Sequence, residues 1–199
     1  MTDWESRYQV GDMPWEKGQA SPPLLELLER PVDWGAGPVL VPGCGFGHDV
    51  RALGVLGIPV VGLDLAPTAV ARARGFPGTG VESYEVGNFL EPEWRVGREC
   101  SAIWEHACFC AIDPGDRKRY AEAAAGCLRE GGLLAGVFFL TPFDPGEESV
   151  GPPFAVTVEE LDAWFSPWFE RVDGWVPQAA FPGRAGREWI GLFRRIAKP

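Results

Sequence analysis

Along this chain, short apolar runs alternate with stretches of helical periodicity. Val39 to Val41, Val60 to Leu63, Tyr84 to Val86, Ala102 to Trp104 and Leu133 to Leu140 read as strands. Between them, Asp49 to Leu56, Pro67 to Arg74 and Asp116 to Arg129 read as helices. The third of these helices is expected to close at Gly131 and Gly132, the residue type that turns left-handed before a buried strand. After a loop from Pro142 to Pro153, Thr157 with Glu159 and Glu160 behind it predicts another helix, and Phe169 to Trp175 and Glu188 to Arg195 predict two more strands. Alternation of this kind builds βαβ units. The expected fold is Rossmann-like α/β, a seven-stranded, mostly parallel sheet with helices on both faces.

The first forty residues follow another rule. Trp4, Tyr8 and Trp15 stand among Gly11, Pro14, Gly18, Pro22 and Pro23, ahead of an apolar helical stretch at Leu24, Leu25, Leu27 and Leu28. Residues 1–20 are therefore expected to form a lid on a single domain spanning 1–199, a length suited to one core. A net charge of −10 repels phosphate backbones and anionic membranes, so neither nucleic acid nor membrane is an expected partner. The N-terminus has no secretory pattern, and the longest apolar run is too short to span a bilayer, which leads to the expectation of a cytoplasmic protein. Five cysteines without paired-ligand spacing, and only two histidines, lead us to expect free thiols and no metal site.

The run Val39-Leu40-Val41-Pro42-Gly43-Cys44-Gly45-Phe46-Gly47 is an apolar strand feeding a glycine-rich turn, where backbone can lie against a ligand that any Cβ would displace. A dinucleotide fingerprint needs its third glycine at position 48, where His48 stands; Gly43, Gly45 and Gly47 make instead the tighter G-x-G-x-G form of methyltransferases. No phosphate-binding lysine follows. About twenty residues on, Val60 to Asp64 ends in a carboxylate able to accept from both hydroxyls of a ribose. At the end of the third strand, Gly87-Asn88-Phe89 offers a donor and acceptor for an adenine edge and a ring to stack on it, although Asn after Gly is also ordinary turn chemistry.

On these residues the chain resembles the thiopurine S-methyltransferase family, and within it the thiol and halide methyltransferases. The resemblance is carried by Trp4-Glu5 with Tyr8, Pro14-Trp15-Glu16-Lys17-Gly18, the turn through His48-Asp49, Val61-Gly62-Leu63-Asp64 and Ile103-Trp104-Glu105-His106. It continues through Ala111-Ile112-Asp113-Pro114-Gly115-Asp116-Arg117 and Gly151-Pro152-Pro153-Phe154, and so covers nearly the whole chain. It implies a class I fold and S-adenosylmethionine as cofactor. Trp4, Tyr8, Gly43, Asp64, Gly87, Asn88 and His106 match cofactor-contacting positions of the family; Trp15, Cys44, Gly45, Gly47, Leu65, Phe89 and Glu105 complete the expected set. Where the family commonly has a second Trp this chain has Tyr8, and where the thiopurine enzymes have Arg it has His106.

The implied reaction is in-line methyl transfer to a small soft nucleophile: a thiol, hydrosulfide, halide or thiocyanate. Thiopurines and chalcogen oxyanions (tellurite or selenite) are alternative acceptors, and an oxidoreductase or a silent cofactor-binding module the competing classes. An aromatic pocket attracts the cationic donor and strips water from an anionic nucleophile. Trp15, Phe109, Phe154 and Arg184 are the expected acceptor-side residues, although large aromatics also form core and loop charges are commonly hydrated. Such nucleophiles ionise readily, so positioning carries the catalysis and no strong base is needed. His106 and Glu105, at the mouth of the fourth strand, are the acid/base candidates; His48 reads as structural at a helix start. A monomer or weak homodimer acting on a small-molecule methyl acceptor is the expected form.

Overall fold

Val39 and Val41 enter one apolar layer and Leu40 the opposite one, the alternation that a strand buried on both faces requires. They belong to β1 (Val39–Pro42), central in the computed structural model, which describes residues 2–144, 146–147 and 151–197. Beside it run β2 (Val60–Asp64), β3 (Glu82–Val86), β4 (Cys100–His106), β5 (Leu128–Phe139), β6 (Phe169–Trp175) and β7 (Glu188–Arg195). The strand order is β3-β2-β1-β4-β5-β7-β6, and β7 runs opposite to the other six strands.

Among the described residues seven α-helices accompany the sheet: α1 (Trp4–Val10), α2 (Pro22–Leu28), α3 (His48–Gly54), α4 (Pro67–Arg74), α5 (Pro92–Arg95), α6 (Arg117–Cys127) and α7 (Val158–Phe165). Leu24 and Leu27 of α2, Val50 and Leu53 of α3 and Val70 of α4 pack on Val39, Val41, Ala102 and Trp104. On the other face Tyr120 and Ala124 of α6 and Leu161 and Phe165 of α7 pack on Leu40, Ile103, Leu134 and Phe138. The chain leaves β1 toward β2 and β3, then returns to its other side at β4. The crevice beyond the carboxyl ends of β1 and β4 is thus the switch point where α/β sheets hold ligands.

Two expectations need correction. The helix expected over Asp116 to Arg129 ends at Cys127, and the chain is already paired at Leu128, opposite Cys100. Gly131 does take the left-handed conformation (φ +71°), but inside β5, where extra residues bulge between the Cys100 and Ala102 pairings. Leu128 is buried in the sheet's layer, and that burial stops the helix before the glycines are reached. The N-terminal cover is also more regular than its punctuation suggests: α1 is capped by the Asp3 carboxylate, which accepts from Ser6 N at 3.0 Å, and closed by Gly11 at φ +76°. The helix foreseen after Thr157 forms with its full capping box, Glu160 N donating to Thr157 Oγ1 and Thr157 N to Glu160 Oε2. Among the described residues no helix is long and apolar enough to cross a membrane.

Candidate active site

A cavity of ≈ 400 Å³ opens in the switch-point crevice. Gly43 and Gly45 line it with φ of +62° and +53°, conformations that carry a side chain only with strain. Asp64, at the end of β2 and 7% exposed, ties this turn to the next helix: Oδ2 accepts from Gly45 N at 2.8 Å and Oδ1 from Ala66 N at 2.9 Å. Burial pushes its pKa up against these donors, and the carboxylate lines the cavity.

The N-terminal segment closes over this end. Glu5 of α1 accepts from Thr68 N at 3.0 Å and Thr68 Oγ1 at 2.6 Å, in the first turn of α4. Trp4, Tyr8 and Trp15 all line the cavity. Trp15 stands edge-on to Trp4 and Tyr8, with centroids 5.3 and 5.7 Å away, and its Nε1 donates to the Tyr8 hydroxyl at 3.2 Å. The Arg7 guanidinium covers one face of Trp15, 4.4 Å from the ring centre. Farther along, Glu16 meets His48 Nε2 at 2.9 Å, and Ser21 N donates to Asp49 Oδ1 at 2.7 Å.

At the end of β4, successive residues face opposite ways. Trp104 and His106 turn toward α3, where Asp49 Oδ2 accepts from Trp104 Nε1 at 2.7 Å and meets His106 Nδ1 at 3.0 Å. Glu105 turns toward α6. It accepts from Cys108 N at 2.9 Å, Phe109 N at 2.8 Å and the Tyr120 hydroxyl, is 0% exposed and does not line the cavity. Burial pushes its pKa up. The turn it pins contains Ala107, whose φ of +62° is the one positive value among the described non-glycine residues, and Ala107 lines the cavity.

The far wall comes from the end of β5 and the segment before β7. Arg184 lies between the rings of Phe139 and Phe181, 4.9 and 5.8 Å from their centres, and donates to Glu188 Oε1 at 3.0 Å. Phe181 stacks on His106 with centroids 6.3 Å apart. Pro152 and Pro153 complete this end.

The profile of the thiopurine S-methyltransferase family matches residues 1–181. This chain belongs to that family. Its relatives include the probable thiol methyltransferase 2 of Arabidopsis thaliana, 33% identical over 96% of this chain and 84% of the relative. Thiocyanate methyltransferase 1 of the same plant is 31% identical over 97% and 84%, and the thiopurine S-methyltransferase of Pseudomonas aeruginosa 27% over 82% and 80%. A SAM-dependent methyltransferase of Anabaena variabilis shares the fold with a TM-score of 0.73 at 16% identity, covering 98% of this chain and 93% of that one. A protein solved in work on converting a disulfide into a thioacetal during echinomycin biosynthesis does so at 0.76 and 22%, covering 97% and 91%.

The chain is thus a SAM-dependent methyltransferase, and its crevice suits that cofactor. The Asp64 carboxylate, the Cβ-free positions Gly43 and Gly45 and the aromatic N-terminal segment line one cavity, a set whose chemistry fits a ribose, a close backbone approach and a sulfonium.

Within this methyltransferase, Trp4, Tyr8, Trp15, Gly43, Cys44, Gly45, Asp64, Leu65, Gly87, Asn88, Phe89, His106 and Arg184 come together around the cavity. Several expected residues do not act as foreseen. Gly47 is outside the lining; a Cβ there would come within 2.5 Å of the Tyr84 ring, so packing explains the glycine. Glu105, expected at the mouth of the fourth strand, is instead buried among three donors and does not line the cavity. Phe109 is 1% exposed, in core among Tyr120, Phe138 and Phe165, and Phe154 also lies outside the lining, its place taken by the prolines before it. The Phe89 ring is buried edge-on against Tyr120 rather than offered for stacking. Asn88 spends its Oδ1 on Leu90 N at 2.9 Å, the turn chemistry that competed with adenine recognition. Of the Pro142 to Pro153 loop, residues 145 and 148–150 lie outside the described residues. Sequence reasoning passed over Asp49, Phe181, Cys108 and Cys110 as lining residues. Asp49 carried a signal, since it stands in the run that resembles the family after the glycines and opens a helix; the others carried none.

Proposed function

We propose that this enzyme moves a methyl group from S-adenosylmethionine to a small, soft, anionic nucleophile: a thiolate, hydrosulfide, halide or thiocyanate. The observation that carries the reading is the far wall, where Arg184, paired with Glu188, packs on the rings of Phe139 and Phe181 and His106 stacks on Phe181, so that this end of the cavity offers a guanidinium, an imidazole and aromatic rings to an acceptor. The names of the Arabidopsis relatives support the same class.

The bound cofactor supplies an electrophilic methyl on a sulfonium. Asp64 holds the ribose, Gly43 and Gly45 let the backbone approach, and Trp4, Tyr8 and Trp15 cover the sulfonium and keep water out. Residues 1–20 serve as the lid of a single domain. Arg184 orients the anion, and His106 presents a positive edge to it; proximity and desolvation carry the rate, because such an acceptor needs no proton removed. A net charge of −10 supports a small-molecule acceptor over nucleic acid or a membrane surface, and a cytoplasmic monomer or weak homodimer accords with it.

The test is a methyl-transfer screen of the purified enzyme against iodide, bromide, thiocyanate, hydrosulfide, a simple thiol, thiopurines and tellurite or selenite, with methylated product detected directly. Turnover of iodide, thiocyanate or hydrosulfide at least tenfold above thiopurines is expected. A preference for thiopurines or chalcogen oxyanions overturns the acceptor assignment.

A further inference from the structure

Asp49 makes three contacts that no part of the reaction described above requires. It is 9% exposed and sits in the first turn of α3, where the helix N-terminus favours a negative charge. Oδ1 takes the Ser21 N–H, the point at which the N-terminal segment joins α2; Oδ2 takes the indole N–H of Trp104 and faces His106 Nδ1. The other imidazole nitrogen, Nε2, is buried and meets no hydrogen-bonding group among the described residues, although His106 lines the cavity. A buried polar atom without a partner costs stability, so its persistence on a cavity wall asks for a ligand.

We propose that Asp49 is a positioning residue for the acceptor: its carboxylate fixes His106 through Nδ1, so that Nε2, a donor once the imidazole is protonated, faces the cavity near Arg184 as a seat for the anion, and it anchors the end of the lid with the same group. The inference rests on the anionic-acceptor reading and names the residue that creates its cationic seat.

The electrostatics agree with the geometry. Burial alone lowers the proton affinity of His106, but the charge and hydrogen bond of Asp49 outweigh it and leave the imidazole above its usual value of 6.5. Arg184 opposes this rise, and Glu188 at the start of β7 adds to it; Glu105, the neighbour in β4, faces the opposite layer. Asp49 responds in kind, its pKa held below 3.8 by His106 despite burial. The cationic imidazole is therefore full below the ordinary histidine range and is lost as pH rises through the raised value. Iodide and the sulfonium carry their charges at every pH. Turnover of iodide is accordingly expected to fall as pH rises through the His106 titration, whereas a thiol gains thiolate over the same range.

The experiment pairs two readouts on the full-length enzyme. Proton–carbon NMR of the imidazoles, assigned with His48→Gln, follows His106 in the parent and in Asp49→Asn. The parent is expected to titrate above 6.5 and the variant below it. Thiocyanate binding to the enzyme loaded with S-adenosylhomocysteine is expected to weaken at least tenfold at pH 6.5 in the variant, with cofactor affinity changed less than threefold, and the upper break of the iodide profile to move to lower pH. If Asp49→Asn fails to fold, His106→Gln takes its place and is expected to abolish that break. An unmoved His106 titration, or an iodide break that survives Gln at position 106, overturns the proposal. If the enzyme methylates no anion at all yet the titration shift and thiocyanate binding appear, the acceptor reading fails and the role of Asp49 stands.

Discussion

The carboxylate of Glu5 completes the first turn of α4, accepting from Thr68 N at 3.0 Å and from Thr68 Oγ1 at 2.6 Å. Helix α4 has Ala66 at its N-cap and no capping side chain of its own, so a residue sixty-three positions earlier does the work of a cap and latches α1 to the body of the protein. Hydrogen bonds from Thr68 hold the Glu5 pKa below 4.5. A lowered carboxylate pKa means the latch is complete above 4.5 and is lost as pH falls through the lower, folded value. Glu5→Gln is therefore expected to speed proteolytic cleavage within residues 1–20 at pH 7 and leave the melting temperature nearly unchanged. Equal cleavage rates in the two proteins would show that the latch does not hold the segment.

Asp64 holds Gly45 N and Ala66 N and lines the cavity. Asp64→Ala is expected to weaken S-adenosylmethionine binding by about 1.5–3 kcal/mol, the range for charge-assisted hydrogen bonds. Titration calorimetry on the folded variant reads this directly, and unchanged affinity would remove Asp64 from the ribose site. Gly45→Val makes an independent check, because its side chain would project against the Tyr8 hydroxyl, 3.2 Å from an ideal Cβ. It is expected to abolish cofactor binding in a folded chain.

Trp15 stands edge-on to both Trp4 and Tyr8 in the N-terminal segment. Its replacement by Ala is expected to reduce kcat/KM at least tenfold, about 1.4 kcal/mol of barrier, with Trp15→Phe recovering part of the loss. A chain beginning at Ser21 is expected to stay folded, since it exposes only the small cluster of Phe46, Ala66 and Ala69, and to lose at least about a hundredfold, roughly 2.7 kcal/mol. Turnover of the truncated chain within threefold of the parent, with circular dichroism intact, would make the segment dispensable to the chemistry.

Glu105 holds three donors in the core, one of them the Tyr120 hydroxyl. Glu105→Ala orphans all three and is expected to lower unfolding free energy by about 3 kcal/mol or more in denaturant titration. Glu105→Gln keeps an acceptor for both backbone donors and is expected to cost less and to leave the pH profile of methyl transfer in place. A shifted profile in Glu105→Gln would return this residue to the reaction.

Much of this protein was legible in order of residues because it depends on near neighbours. The seven strands follow from apolar runs, and the turn from glycines, the residue type that most readily takes the φ of +62° and +53° found at Gly43 and Gly45. Asp64 is legible for the same reason, standing at the end of a strand a fixed distance on. Helix and strand ends were less so: α6 stops at Cys127 because Leu128 is buried in the sheet's layer, a fact about partners distant in sequence.

The roles inside the site were decided by tertiary structure. Glu105 and His106 are adjacent and equally eligible as acid or base, yet a strand turns successive side chains to opposite faces, and only the packing of α6 on one face and α3 on the other sends Glu105 into the core and His106 to the cavity. Phe109 and Phe181 are likewise indistinguishable by type; one fills the layer beneath α7 and the other stacks on His106. Composition and spacing determine which residues can bury apolar surface or carry charge. Which face each one meets depends on contacts between segments far apart in the chain, as when folding brings Asp49, fifty-seven residues away, to 3.0 Å from His106.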